Sequence, residues 1–152
     1  MKKSLVLTLA VGLVMVLGGV AMAADSNTLT VSANVVGTCK FSSATSTLAF
    51  GALDPSVGTD VTKTPQIQFW CTKGITETVS AGNGLNFASG KRQMIGPNSD
   101  VIPYTLSLAT AGTSGGPGSP KTLTITGGVL GTDYTSKSAG DYADTVALTI
   151  TP

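Results

Sequence analysis

Beyond residue 24 the apolar residues of this chain alternate with polar ones, and no segment repeats them at the 3.6-residue period of a helix. A period of two sends successive side chains to opposite faces of a strand. A chain of this kind buries itself by laying one-sided strands against one another. In "DSNTLTVSANVVGTCKF", residues 25–41, Leu29, Val31, Ala33 and Val35 share one parity, and Thr28, Thr30, Ser32 and Asn34 share the other. Further strands are predicted at 47–50, 61–72, 77–80, 85–88, 91–95, 101–109, 121–126 and 142–151, separated by Gly, Pro, Asn and Asp. Within 61–72, Ile67, Phe69 and Cys71 point the same way, and Pro65 requires an edge or a bulge. Residues 110–120, "TAGTSGGPGSP", read as a turn-rich loop. Strands recurring at roughly 8 to 15 residues argue for a sandwich rather than βαβ units.

The first 23 residues belong to export. Lys2 and Lys3 precede an uncharged apolar run from Leu5 to Val20, and Ala21-Met22-Ala23 forms a small-x-small cleavage site. The run approaches the roughly 20 residues that cross a bilayer, which leaves a membrane anchor as the rival reading. The flanks fit a secretory signal peptide cleaved after Ala23, with no stable membrane insertion afterwards. Removing 23 of the 152 residues leaves 129, enough for one domain. Lys2 and Lys3 leave with the signal peptide, so seven Lys+Arg face eight Asp+Glu, a net charge of −1. That balance excludes the basic footprint of a nucleic-acid binder.

Two cysteines, Cys39 and Cys71, in a chain bound for an oxidising compartment are read as one disulfide. A metal site would require more ligands, and the sequence has no histidine. The missing histidine also removes the commonest general base and the Ser-His-Asp type of triad. Asp141 and Asp144 lie three apart, which on a strand places them on opposite faces, so they read as a solvated strand entry. "SGKR" at 89–92 lacks the glycine spacing and the hydroxyl residue of a phosphate loop. No catalytic residue, metal site or cofactor is expected.

An immunoglobulin-like sandwich has seven strands. With the leading strand set aside, the body looks one strand short, while an amphipathic strand stands unused at its front. That strand could also pair within its own molecule, since intramolecular and intermolecular strands bury the same alternating face.

Cys39, "FGALDP" at 50–55, "CTKG" at 71–74, "YTLSL" at 104–108 and the closing "AGDYADTVALTIT" at 139–151 follow in an order that resembles the spore coat protein U domain family, which includes subunits of archaic, Csu-type chaperone–usher pili. The resemblance implies an all-β fold, an incomplete immunoglobulin-like β-sandwich plus an N-terminal donor strand, with one disulfide. It implies a signal peptide at 1–23, a donor-strand extension at 24–37 and the sandwich domain at 38–152. Leu29, Val31, Ala33 and Val35 would enter the groove of a neighbouring subunit, and the terminal strand with Val146, Leu148 and Ile150 would border the groove and meet a periplasmic chaperone. The implied partners are copies of the chain or related pilins, that chaperone and an outer-membrane usher. The implied destination, through the periplasm, is a fibre on the cell surface that supports adhesion or biofilm formation. A surface-binding adhesive module and a spore-coat structural protein are the alternative functions.

Overall fold

The computed structural model describes residues 23–152. The expected signal peptide, apart from Ala23, lies outside the described residues. The chain divides into two units, Met1–Ala33 and Asn34–Pro152. Among the described residues the regular structure of the second unit is almost wholly β. Its strands are β1 (Cys39–Phe41), β2 (Val61–Lys63), β3 (Gln66–Cys71), β4 (Thr78–Ala81), β5 (Arg92–Ile95), β6 (Val101–Ala111), β7 (Lys121–Val129) and β8 (Leu148–Thr151). One helical turn, α1 (Gly131–Tyr134), and a 3-10 turn at Pro97–Ser99 complete it.

One sheet runs β1-β3-β7-β6-β5, and β2 pairs β7 off this path. A second, two-stranded sheet pairs β4 with β8. Every pairing is antiparallel. The predicted strand at 61–72 is broken at Thr64 and Pro65, where proline has no N–H to donate. The Pro65 carbonyl still accepts a bond from Ile125 N at 3.0 Å.

β7 shows why these residues make a strand. Leu123, Ile125, Gly127 and Val129 are buried on one face, and β-branched threonines fill most of the other. Phe69, Cys71, Leu123 and Ile125 form one buried cluster, against which Val79, Leu148 and Ile150 of the second sheet pack. Ile102, Tyr104, Val129 and Tyr134 form another. Cys39 and Cys71 sit opposite each other in the β1–β3 register and are joined as the expected disulfide. Trp70 faces the other way, half-buried and opposite Lys40.

Three predicted strands are corrected. Residues 47–50 are not a strand, because no described segment forms a ladder with them. Residues 85–88 form turns, with a single bridge from Ala88 to Lys91. At 142–151 only Leu148–Thr151 is regular strand. Residues 141–147 continue its exposure pattern, every even-numbered side chain half-buried and every odd one exposed.

Candidate assembly groove

The inward faces of β6 and β7 are only partly covered by the second sheet. Between the terminal segment and residues 46–53 they floor a groove of about 840 Å3. Ile102, Tyr104 and Leu106 of β6 and Ile125 of β7 make the floor. Leu48, Phe50 and Leu53 line one wall, and Tyr142, Val146 and Leu148 line the other.

Each wall has a specific origin. Leu48 reaches the core because Gly127 lacks a Cβ; one built there would run into the Leu48 side chain. Phe50 packs on Tyr104 with ring centroids 6.3 Å apart. Among the described residues, no backbone–backbone hydrogen bond joins 46–53 to another segment.

The opposite wall hangs from β4. Gly82 N donates to Ala147 O at 2.8 Å and Leu85 N to Thr145 O at 3.0 Å. Gly82 and Ala147 continue the register in which Val79 faces Ile150 and Ala81 faces Leu148. In an antiparallel ladder hydrogen-bonded and non-bonded pairs alternate. The backbone groups of Val146, Leu148 and Ile150 therefore point away from β4, toward the open edge. One segment thus presents apolar side chains inward and, sideways, N–H and C=O groups left unpaired among the described residues, which is the requirement for accepting another strand.

Tyr104 bridges floor and wall. Its hydroxyl donates to Asp144 Oδ2 at 2.6 Å, and Asp144 Oδ1 accepts from Asn86 N at 3.1 Å. Burial foremost, then the hydrogen bond to Asp144 and its charge, raise the Tyr104 phenol well above its ordinary value, so it remains a donor. Gly84 lies so close to Asp144 that a Cβ there would meet the carboxylate. Asp144 is therefore bonded on both oxygens, not the solvated residue expected, while Asp141 is exposed.

Among the sequence-predicted site residues, Val146 and Leu148 come together on the groove wall, and Ile150 lies beyond it against the first buried cluster. Leu29, Val31 and Val35 are 84%, 83% and 79% exposed, and Ala33 is exposed. No strand is assigned over residues 23–38. Sequence reasoning missed the wall at 46–53, the floor on β6 and the tyrosine–aspartate bond. One signal was available, since Asp144 is a polar residue on the parity of Tyr142, Val146, Leu148 and Ile150.

Fold and groove together define an incomplete immunoglobulin-like sandwich. The Spore Coat Protein U domain matches residues 25–149, and the chain belongs to that family. In the crystal structure of the CsuC–CsuE chaperone–tip adhesion subunit pre-assembly complex from archaic chaperone–usher Csu pili of Acinetobacter baumannii, a chain matches with a TM-score of 0.52 at 19% identity. The match covers 76% of this chain and 40% of that one, so this chain spans under half of its relative; the likeness concerns the fold. No curated protein matches the chain.

Proposed function

We propose that this chain is a structural subunit of an extracellular pilus, exported by a chaperone–usher route and polymerised by inserting residues 29–35 of one copy into the groove of the next. The observation that carries this reading is the groove itself, apolar at its floor and with backbone along both walls that is unpaired among the described residues. Its natural complement is an extended strand with one apolar face. Leu29 to Val35 spans six residue steps, about 20 Å at roughly 3.3 Å per residue. Tyr142 to Leu148 along the wall also spans six steps.

Burying Leu29, Val31, Ala33 and Val35 would contribute about 4 to 8 kcal/mol. Strand pairing would add roughly 0.5 to 1.5 kcal/mol per hydrogen bond. The contact is head-to-tail and does not close on itself, so it grows a fibre. Before assembly such a groove invites aggregation. That favours a periplasmic chaperone lending a strand along Val146–Thr151, an outer-membrane usher as exit, and the cell surface as destination. Adhesion or biofilm formation is the role such a fibre would serve.

The test is a denaturing gel of the mature protein, loaded once unheated and once boiled. An unheated ladder that collapses to monomer on boiling, and that is absent from a chain lacking residues 25–36, is the expected outcome. Monomer in both lanes, or a ladder from the truncated chain, would overturn the reading.

A further inference from the structure

The loop after β4 holds the terminal segment at two points, and between them lies the sequence Gly82-Asn83-Gly84. Gly82 N donates to Ala147 O at 2.8 Å and Leu85 N to Thr145 O at 3.0 Å. Asn83 is exposed and lies outside every strand and helix. Among the described residues the N–H of Gly84 makes no backbone hydrogen bond. An asparagine amide closes onto the next peptide nitrogen when that nitrogen is open to approach. Glycine leaves it most open, because it has no Cβ and the widest backbone freedom.

The other asparagines differ. Asn27 and Asn34 precede the β-branched Thr28 and Val35, and Asn86 precedes Phe87. The amides of Asn86 and Asn98 are also engaged, donating to Ala143 O and to Ser138 Oγ, each at 3.1 Å. Asn83 alone combines exposure with a following glycine.

We infer that Asn83 is a site of spontaneous deamidation, and that the reaction loosens the terminal wall of the groove. The peptide nitrogen of Gly84 attacks Cγ of Asn83 and gives up its proton, the Cγ–Nδ2 bond breaks, and the side-chain nitrogen leaves as ammonia. The product is a cyclic imide, which water reopens. Cleavage of the new bond from Gly84 N to Cγ yields aspartate, and cleavage of the original bond to the main-chain carbonyl carbon yields isoaspartate. Water is the sole co-reactant. Either product sets a carboxylate beside Gly84, which lies so close to Asp144 that a Cβ there would meet its carboxylate. Like charges at that range repel. Asp144 is held by Tyr104 at 2.6 Å and by Asn86 N at 3.1 Å, so retreat costs it those bonds. Isoaspartate also routes the main chain through its own Cβ. The extra backbone carbon falls between Gly82 and Leu85 and spoils the spacing with which both reach the terminal segment.

The site is tested by holding the folded mature chain at mildly alkaline pH and mapping its tryptic peptides by mass spectrometry. Lys73 and Lys91 release Asn83 and Asn86 in one peptide, 74–91, so each serves as the other's control. Asn83 is expected to convert about tenfold or more faster than Asn86, with isoaspartate among the products. Asn83→Gln, which would have to close a larger ring, is expected to stay unconverted. Conversion at Asn83 no faster than at Asn27, Asn34, Asn86 or Asn98 would overturn the site. Urea denaturation of fresh and aged chains then reads the effect on the wall. The folded-to-unfolded ratio of the aged parent is expected to fall about five- to thirtyfold, while aged Asn83→Gln keeps its fresh value. An unchanged ratio in a converted parent, or an equal fall in aged Asn83→Gln, would overturn the loosening of the wall.

Discussion

Single residues decide how the terminal end of the body is held. Asp144 takes hydrogen bonds from Tyr104 and Asn86 and ties the groove wall to both β6 and the loop after β4. At the other end of the body, Lys121 of β7 pairs with Glu77 just before β4, their side chains only 11% and 6% exposed, and the ammonium lies 5.7 Å from the Phe69 ring centroid. Burial opposes the charge on Glu77. The hydrogen bond from Lys121, a backbone hydrogen bond and the ammonium charge outweigh it and hold the carboxyl below its ordinary 4.5. A lowered native value means that the unfolded chain takes up the proton first as pH falls. The stabilisation is therefore complete above the ordinary value and is lost as pH falls through the native one. Denaturation followed by the single tryptophan, Trp70, should show the parent chain losing stability as pH falls below the ordinary glutamate value, and Glu77→Gln losing less over that range. Equal slopes would remove this ion pair from the acid response.

Elements define the groove by what they lack. Residues 46–53 carry an alternating pattern, half-buried at Leu48 and Phe50, yet have no strand partner among the described residues. Their position depends on Gly127, directly beneath Leu48. Gly127→Val is expected to destabilise the body by about 1 to 3 kcal/mol through overpacking, read as a lower denaturant midpoint, and to weaken the ladder because it displaces a groove wall. An unchanged midpoint would mean that Leu48 yields without cost. The terminal segment was legible as a strand because Val146, Leu148 and Ile150 alternate, and β3 because Ile67, Phe69 and Cys71 do. Residues 85–88 misled for the same reason: "LNFA" alternates, but the segment carries Asn86 Nδ2 to Ala143 O and turns back at Ser89 and Gly90 before it can extend.

At the scale of the whole molecule, the body is a sandwich whose second sheet is two strands wide over a first sheet of six. Two buried clusters of four residues each form its centre, with the groove opening onto both. A core this thin gives the disulfide unusual weight. It closes a separation of 32 residues between Cys39 and Cys71, and its chief effect is on the entropy of the unfolded chain. Replacing both cysteines by serine should lower unfolding free energy by about 2 to 4 kcal/mol, measured by urea denaturation of the chain with and without the bridge. A loss well under ~1 kcal/mol would mean that β1 is held by its ladder to β3 alone.

By itself the sequence determined the all-β class, the inward parity of most strands, the pairing of its two cysteines and the one-sided apolar pattern of residues 29–35. Each of these follows from local periodicity or composition, which neighbouring residues along the chain express directly. Only the tertiary structure decided that 46–53 and the terminal segment face each other across β6 and β7, that Tyr104 reaches Asp144, and that Gly127 makes room for Leu48. These contacts join residues separated by 40 positions in the tyrosine–aspartate bond and by about twice that or more elsewhere, as between Leu48 and Gly127. No local pattern encodes them, because a groove is defined by the places where long-range pairing stops.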